Sequence, residues 1–191
     1  MAKKCAIIPG DKSQKKNDKI KGSKMSEINL YMMRHGIAGD IAEYHKDADR
    51  ALTKEGDRKT RKIAQRLKEL SLKFDIILTS PLVRASQTAQ ILLEEGLSNK
   101  LEEFRALAPE GDIKNWLTWL EITRETGVKD IAIVGHEPNL SQWAETLLWG
   151  ETKGVIILKK AGIIGLTLPE TGSTVGNSQL IWLTPPKFFI G

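Results

Sequence analysis

The residues of this sequence best suited to chemistry are two arginines and two histidines, each at or just after the end of an apolar run: Arg34, His35, Arg84 and His136. Arginine guanidinium groups match phosphate oxygens with two parallel hydrogen bonds. A neutral imidazole, whose ordinary pKa is about 6.5, is a competent nucleophile near neutral pH. Gathered in one cleft, these side chains would form an electropositive pocket, and the ligand favoured by such a pocket is a phosphoryl group.

The apolar runs that end close to these side chains predict three buried strands, over residues 28–33, 75–79 and 130–135. In open α/β sheets, ligands bind outside the carboxyl ends of the strands. We therefore expect the four side chains to meet at one edge of a sheet.

A helix is predicted directly after the second of these strands. Ser80 is expected to be its N-cap and Pro81 its first residue, and the helix would extend to about Glu95. Arg84 would then lie on the first turn, where free backbone N–H groups favour an anion.

The rest of the chain alternates between helical and strand patterns. A helix signature begins at Thr53, and its inward face would carry Ile63, Leu67 and Leu70. Further predicted elements are a helix over 112–126 with Trp116, Leu117 and Leu120 inward, a helix over 138–149, a weak strand over 101–104, and closing strands over 155–158, 162–168 and 179–183. Strands that alternate with helices predict an α/β sandwich with a largely parallel sheet.

Charge and cysteine content narrow the function classes. The chain has 191 residues and a net charge of +5, but residues 1–25 hold eight lysines and two aspartates. We predict that residues 1–25 are a basic disordered tail and that residues 26–191 form one domain, near neutral, with no nucleic-acid partner. The single cysteine, Cys5, lies in the tail, which excludes cysteine-dependent phosphatases and proteases. No apolar run approaches about 18 residues, so we expect no membrane contact and a cytoplasmic location.

Three segments, taken in order, carry a resemblance to a known family: Arg34-His35-Gly36, residues 80–89 (SPLVRASQTA) and Gly135-His136-Glu137-Pro138. Over residues 28–183 the sequence resembles the histidine phosphatase superfamily, which includes phosphoglycerate mutase-like and acid phosphatase branches. The resemblance implies a three-layer α/β/α sandwich of the phosphoglycerate mutase-like type. It also implies that His35 is the nucleophile, forming a phosphohistidine, inside a cationic cage of Arg34, Arg84 and His136.

These roles carry physical expectations. The second ring nitrogen of His35 should be held by a backbone carbonyl, so that the attacking lone pair points at phosphorus. Arg34, Arg84 and a protonated His136 would complement the charge on the phosphoryl oxygens, with no metal and no cofactor.

Within the superfamily, residues 52–56, 107–112 and 135–141 look like the phosphohistidine phosphatases of the SixA type. Mutase-like relatives usually carry a glutamate general acid after the third strand, where this sequence has Ala106. Imidazole is a far better leaving group than an alkoxide and needs less proton donation. The lack of an acid at Ala106 therefore favours hydrolysis of a P–N bond, although five carboxylates could still approach the cleft: Asp40, Glu102, Glu103, Glu110 and Glu137.

The predicted function is thus a metal-independent phosphohistidine protein phosphatase that acts, as a monomer, on a phosphohistidine-containing phosphotransfer protein. One alternative is a phosphatase of small phosphomonoesters, which needs a carboxylate beside the leaving oxygen. The other is a non-catalytic phosphoprotein-binding module, against which the intact set of Arg34, His35, Arg84 and His136 argues.

Three plainer interpretations apply to other residues. Glu137 could be a first-turn carboxylate that complements a helix dipole, and His45 lies in a polar loop with no metal-ligand spacing. Four tryptophans at helical spacings are interpreted as core residues: Trp116, Trp119, Trp143 and Trp149.

Overall fold

The computed structural model describes residues 27–190, which are built around one six-stranded sheet. The strands are β1 (Ile28–Arg34), β2 (Ile76–Thr79), β3 (Leu101–Glu103), β4 (Asp130–Gly135), β5 (Ile163–Leu168) and β6 (Gln179–Thr184). Their spatial order is β3-β2-β4-β1-β5-β6. The tail predicted over residues 1–25 lies outside the described residues.

The helices that join and cover the strands are α1 (Lys54–Glu69), α2 (Val83–Glu94), α3 (Ile113–Arg124), α4 (Asn139–Trp149) and α5 (Lys187–Ile190). Three short 3₁₀ turns lie in the connections, at Ile41–Glu43, Asp47–Asp49 and Arg105–Leu107. Within the described part of the chain, no helix is both long enough and apolar enough to cross a lipid bilayer.

Strand direction brings the predicted site residues to one edge of the sheet. Strands β3, β2, β4 and β1 pair in parallel, whereas β5 runs antiparallel to both β1 and β6. The prediction of a largely parallel sheet is therefore confirmed. Because Arg34 pairs with Gly135 and Thr79 pairs with Val134, the strands β1, β4 and β2 end side by side.

Alternating side chains of the central strands face two separate apolar cores. Leu30 and Met32 of β1 pack with Trp116 of α3 and Trp143 of α4. Met33 faces the opposite core, which is formed with residues of α1, α2 and α5. Helices thus cover both faces of the sheet, and the predicted three-layer α/β/α sandwich is confirmed.

The predicted start of α2 is wrong by two residues. The helix begins at Val83 with Leu82 as its N-cap. Ser80 instead extends the sheet, because its backbone N–H donates to the carbonyl of Val134 at 3.0 Å. Arg84 still lies on the first turn of the helix, as predicted.

The strand predicted over 155–158 is also wrong, because a buried carboxylate takes the place of a neighbouring strand. Glu145 of α4 is 1% exposed. Its two oxygens accept the backbone N–H groups of four successive residues, Lys153, Gly154, Val155 and Ile156, at 2.6–2.8 Å. Because the backbone N–H groups of Val155 and Ile156 already donate to a side chain, this apolar segment does not pair with a neighbouring strand.

Two apolar residues expected on inward faces are exposed. Leu70 is 47% exposed and Trp149 is 44% exposed. Leu70 follows the last residue of α1, and Trp149 is the last residue of α4. Trp116 and Trp143 are buried as predicted, and Trp119 is half-buried.

Candidate active site

His35 lies directly after β1 and is held by backbone groups on both sides. Its N–H donates to the carbonyl of Gly135 at 3.0 Å, which continues the β1–β4 pairing by one residue. Its ring Nδ1 is 2.7 Å from the carbonyl of Gly36. A carbonyl only accepts hydrogen bonds, so Nδ1 carries the ring proton and Nε2 keeps its lone pair. This is the backbone carbonyl contact expected from the sequence.

Arg84 links His35 to a carboxylate that the sequence analysis missed. The Nε–H of Arg84 points at Nε2 of His35 at 3.3 Å. Its two terminal nitrogens donate to Asp47, one to the backbone carbonyl at 2.6 Å and one to Oδ2 at 2.8 Å. Asp47 lies in a loop turn without a recognisable motif, so no signal in the sequence marks it as a partner of Arg84.

His136 stands in the same position after β4 as His35 does after β1. The two ring centroids are 5.1 Å apart, and Nε2 of His136 lies 2.8 Å from Oγ of Ser80. Ser80 Oγ also accepts the N–H of Leu82 at 3.3 Å. In the tautomer with the ring proton on Nδ1, Nε2 of His136 accepts from the Ser80 hydroxyl, and Nδ1 is buried without a partner among the described residues. Ser80 is therefore a positioning residue for His136, and not the helix cap that we predicted.

Arg34 completes the group from the last position of β1. One of its terminal nitrogens donates to the carbonyl of Leu158 at 2.9 Å, and its Nε is buried without a partner among the described residues. Burial lowers the pKa of Arg34, and the charge of Glu137 opposes that shift. The unpartnered N–H groups of Arg34 and His136 are donors that a phosphoryl oxygen would satisfy.

Two glycines let helix α1 pack against the backbone that follows His35. A Cβ on Gly36 would lie 2.6 Å from Oγ1 of Thr60 in α1, and a Cβ on Gly56 would lie 2.0 Å from the backbone carbonyl of Ile37. The Gly36 N–H also donates to Oγ1 of Thr88 in α2 at 3.0 Å. Glycine in the two motifs 34–36 and 52–56 is therefore a packing requirement of the site.

Both histidines are neutral at pH 7 in this structure. Burial lowers the pKa of His35 to about 3; the Gly36 carbonyl opposes the shift, and the nearby positive charges add to it. Burial and then the charge of Arg84 lower the pKa of His136 to about 4. A neutral His35 fits the role of nucleophile, but the protonated His136 expected from the sequence is not the form present without a ligand. Neutral His136 still offers its Nδ1–H to an oxyanion.

The five carboxylates left open as general acids are engaged elsewhere or exposed. Glu137 accepts the N–H and the hydroxyl of Ser141 at 3.1 and 2.7 Å, as a first-turn carboxylate does. Asp40 accepts the N–H of Ala42, Glu102 pairs with Lys100, and Glu103 and Glu110 are exposed. Ala106 is buried in a 3₁₀ turn.

Asp47 is the carboxylate that accepts a hydrogen bond from Arg84, and it is held in its ionised form. Its hydrogen bond to Arg50 lowers its pKa most, its slight burial opposes the shift, and Arg84 lowers the pKa further. An ionised carboxylate accepts a proton but has none to donate, so Asp47 is poorly suited to general acid catalysis at neutral pH.

No group of three or more His, Cys, Asp or Glu side chains within residues 27–190 is arranged to hold a metal ion. The structure thus brings together Arg34, His35, Arg84 and His136, the four residues predicted from the sequence. It adds Asp47, Ser80 and the Gly36 carbonyl as their hydrogen-bond partners. The catalytic roles of the four stay predictions.

Comparison with known proteins gives a consistent family. The family model of the histidine phosphatase superfamily (branch 1) matches residues 30–111, which include Arg34, His35 and Arg84. Phosphohistidine phosphatase SixA of Escherichia coli is 30% identical over 159 residues, covering 80% of this chain and 93% of the relative. An uncharacterized protein of Picosynechococcus is 43% identical over 164 residues, covering 85% of this chain and 99% of that protein.

Solved structures agree on the fold. The protein histidine phosphatase SixA complexed with tungstate superposes with a TM-score of 0.74 at 27% identity, covering 84% of this chain and 99% of that one. A phosphoglycerate mutase from Bacillus anthracis superposes with a TM-score of 0.63 at 16% identity, covering 82% of this chain and 92% of that one. The fold is therefore the phosphoglycerate mutase-like one expected from the sequence.

Proposed function

This chain belongs to the histidine phosphatase superfamily, and on that premise we propose that it removes the phosphoryl group from phosphohistidine side chains of proteins, using His35 as the nucleophile. The observation that carries the proposal is the state of His35, a neutral imidazole with Nδ1–H bonded to the Gly36 carbonyl and Nε2 unprotonated. Nε2 thus needs no separate base to remove a proton, and a phosphoryl oxygen would take over the Arg84 Nε–H that points at Nε2 at 3.3 Å.

In the proposed first step, Nε2 of His35 forms a bond to phosphorus while the bond from phosphorus to the substrate imidazole breaks. The leaving imidazole keeps the electron pair and takes a proton from water, which leaves a hydroxide ion. In the second step, a water molecule attacks the phosphorus on His35, and the bond from phosphorus to Nε2 breaks with its electron pair returning to Nε2. The phosphate that leaves carries both protons of that water and gives one of them to the hydroxide ion. The guanidinium groups of Arg34 and Arg84 and the Nδ1–H of His136 would hold the three phosphoryl oxygens, which supports the metal-independent reaction that we propose.

The choice of a P–N bond is supported by the surroundings of the group. The position after β3 carries buried Ala106, and the carboxylate at Arg84 is held ionised. An alkoxide leaving group would need a proton donor, which is worth about 10²–10⁴-fold in rate. An imidazole leaving group needs much less. The SixA relative, named a phosphohistidine phosphatase, points to the same substrate class.

The alternative, hydrolysis of small phosphomonoesters, needs a carboxylic acid beside the leaving oxygen. Asp47, the carboxylate bonded to Arg84, is held ionised by Arg50 and Arg84, so it does not favour that alternative. Monomeric state, a cytoplasmic location and a phosphotransfer protein as partner remain predictions of the sequence.

The test compares three substrates with one enzyme preparation: a phosphohistidine-bearing phosphotransfer domain, free phosphohistidine and a panel of phosphomonoesters. We expect release of phosphate from the first two and little from the esters. His35→Ala should abolish turnover, whereas His45→Ala, a change in an exposed loop histidine, should leave it unchanged. Acid-labile, alkali-stable label on the wild-type chain would report the phosphohistidine on His35.

Turnover of the esters alone would overturn phosphohistidine as the substrate. Full activity of His35→Ala would overturn the nucleophile. Binding of the phosphoprotein without any turnover would favour the non-catalytic module.

A further inference from the structure

A cavity of about 450 Å³ lies next to Arg34, and its charged lining residues are all cations. They are Arg34, Lys59, Lys159, Lys160 and Lys187, which we call the basic cavity. These residues come from β1, α1, the segment before β5, and α5, so the cavity depends on the folded chain. Arg34 belongs both to this cavity and to the site around His35.

The positive charge of the basic cavity is largely uncompensated. Lys59 pairs with Glu55 of the same helix at 2.6 Å, but Lys159, Lys160 and Lys187 make no ion pair with the described residues. Burial, and then the charges of Arg34, Arg50 and Arg84, lower the pKa of Lys160. Its ammonium group is thus close enough to the arginines of the site to feel their repulsion, and an anion would relieve it.

A second cavity, of about 540 Å³ between α1 and α2, provides a contrast. It is lined by charges of both signs, and these charges neutralise each other, since Arg61 pairs with Asp57 and with Glu94. A concave surface of this protein is therefore not basic as a rule, and the α1–α2 cavity has no excess of lysines comparable to that beside Arg34.

The form of the basic cavity favours carboxylates on a polypeptide over a further phosphate. Its lysines are flexible point charges spread over three elements, whereas tight phosphate binding in proteins uses guanidinium forks and converging backbone N–H groups. One terminal nitrogen of Arg34, the single guanidinium present, is already bonded to Leu158. The walls between the cations are apolar and include Ile37, Pro186 and Ile190, which suits the aliphatic parts of a peptide segment.

We propose that the basic cavity binds an acidic segment of the phosphoprotein substrate, with aspartate or glutamate side chains close to the phosphohistidine, and thereby selects that protein. The phosphohistidine in this inference rests on the proposed function. The acidic segment of the substrate rests on the basic cavity alone. Charge of one sign in a concave surface raises the local concentration of an oppositely charged partner, and typical gains in association rate are about 10–10³-fold.

The first experiment measures binding without turnover. A fluorescein-labelled octaglutamate peptide is titrated with the full chain at low salt and followed by fluorescence anisotropy. The triple variant Lys159→Glu/Lys160→Glu/Lys187→Glu should bind the peptide at least 10-fold more weakly than the wild type. The matched control, Lys68→Glu/Lys114→Glu/Lys129→Glu, makes the same change in net charge at exposed lysines outside the cavity and should shift the affinity less than 3-fold. Equal weakening in both triples, or no weakening in either, would overturn the proposal.

The second experiment separates this inference from the proposed function. Two phosphohistidine peptides are compared, one flanked by glutamates and one flanked by glutamines. We expect the wild type and the control triple to favour the glutamate peptide about 10-fold in kcat/KM, and the cavity triple to lose that preference while it still hydrolyses free phosphohistidine. Equal kcat/KM for the two peptides in the wild type would overturn the acidic segment and leave the phosphatase proposal intact. Cavity-dependent binding of octaglutamate without hydrolysis of either peptide would support the acidic segment and overturn phosphohistidine as the substrate.

Discussion

The pairing of Asp47 with Arg84 leads to a prediction about how tightly the site binds an oxyanion. Asp47 Oδ2 lies 2.8 Å from a terminal nitrogen of Arg84, whose side chain is 6% exposed, whereas that of Asp47 is 48% exposed. An oxyanion that binds Arg84 must displace this carboxylate or tolerate its charge. Replacing Asp47 by asparagine removes the charge and keeps the backbone carbonyl that also accepts from Arg84.

The size of the effect follows from the exposure of the two partners. A hydrogen bond to a charged group contributes about 1.5–3 kcal/mol, but solvent screening of a half-exposed carboxylate reduces this to about 1 kcal/mol. That free energy corresponds to about a 5-fold change in Kd. We therefore expect Asp47→Asn to bind inorganic phosphate or tungstate about 5-fold more tightly than the wild type, as measured by isothermal titration calorimetry at pH 7.5.

Two further variants isolate the cause. Asp49→Asn removes an exposed carboxylate from the same 3₁₀ turn and should leave the affinity unchanged. Arg50→Gln breaks the other ion pair of Asp47, at 2.8 Å, but leaves the pair with Arg84, so it should not tighten binding. Unchanged or weaker oxyanion binding in Asp47→Asn would refute the idea that the carboxylate competes for Arg84. Weaker binding would show instead that Asp47 holds this arginine in its binding position.

Further predictions concern the partners of the two histidines. Ser80→Ala removes the hydroxyl bonded to His136 and should lower kcat about 10-fold with little change in thermal stability. Recovery of kcat in Ser80→Thr, which keeps the hydroxyl, would separate positioning of His136 from packing. Gly56→Ala places a methyl group 2.0 Å from the Ile37 carbonyl and should lower the Tm by several degrees, whereas an equal Tm would show that α1 can move away at no cost. In the folded chain the pKa values of His35 and His136 are about 3 and about 4, below the ordinary value of about 6.5. The unfolded chain therefore binds more protons at acidic pH. We expect the free energy of unfolding to decrease as the pH falls below about 6.5. Urea denaturation of the double variant His35→Gln/His136→Gln should show a flatter pH dependence, and an unchanged slope would assign the effect to other groups.

The parts of the site that lie on regular elements could be predicted from the sequence. Apolar runs ending at Arg34 and at His136 mark parallel strands, and parallel strands end at a common edge. The carbonyl partner of His35 was also predictable, since an imidazole nucleophile needs its second nitrogen held. In these cases, the hydrophobic pattern of the strands and the chemical needs of a histidine nucleophile predict the same arrangement.

Contacts made by loops and by single polar atoms were not predictable in the same way. Asp47 reaches Arg84 through the path of an irregular loop, which no periodicity encodes. Ser80 has the sequence of a helix cap, yet its hydroxyl lies against His136, a residue 56 positions away in the chain. The segment 155–158 has strand composition, but the backbone N–H groups of Val155 and Ile156 donate to Glu145, and only the folded structure brings that carboxylate to them.

The carboxylate of Glu145 has a consequence for a residue that it does not contact. It fixes the amides of residues 153–156, and the same segment continues to Leu158, whose carbonyl accepts the hydrogen bond of Arg34. Glu145 of helix α4 thus anchors the irregular stretch of chain that carries the hydrogen-bond acceptor of Arg34. Hydrogen–deuterium exchange at residues 153–156 would report this anchoring, and we expect a variant that speeds the exchange to weaken the hydrogen bond from Arg34 to Leu158 without any change to the cage residues themselves.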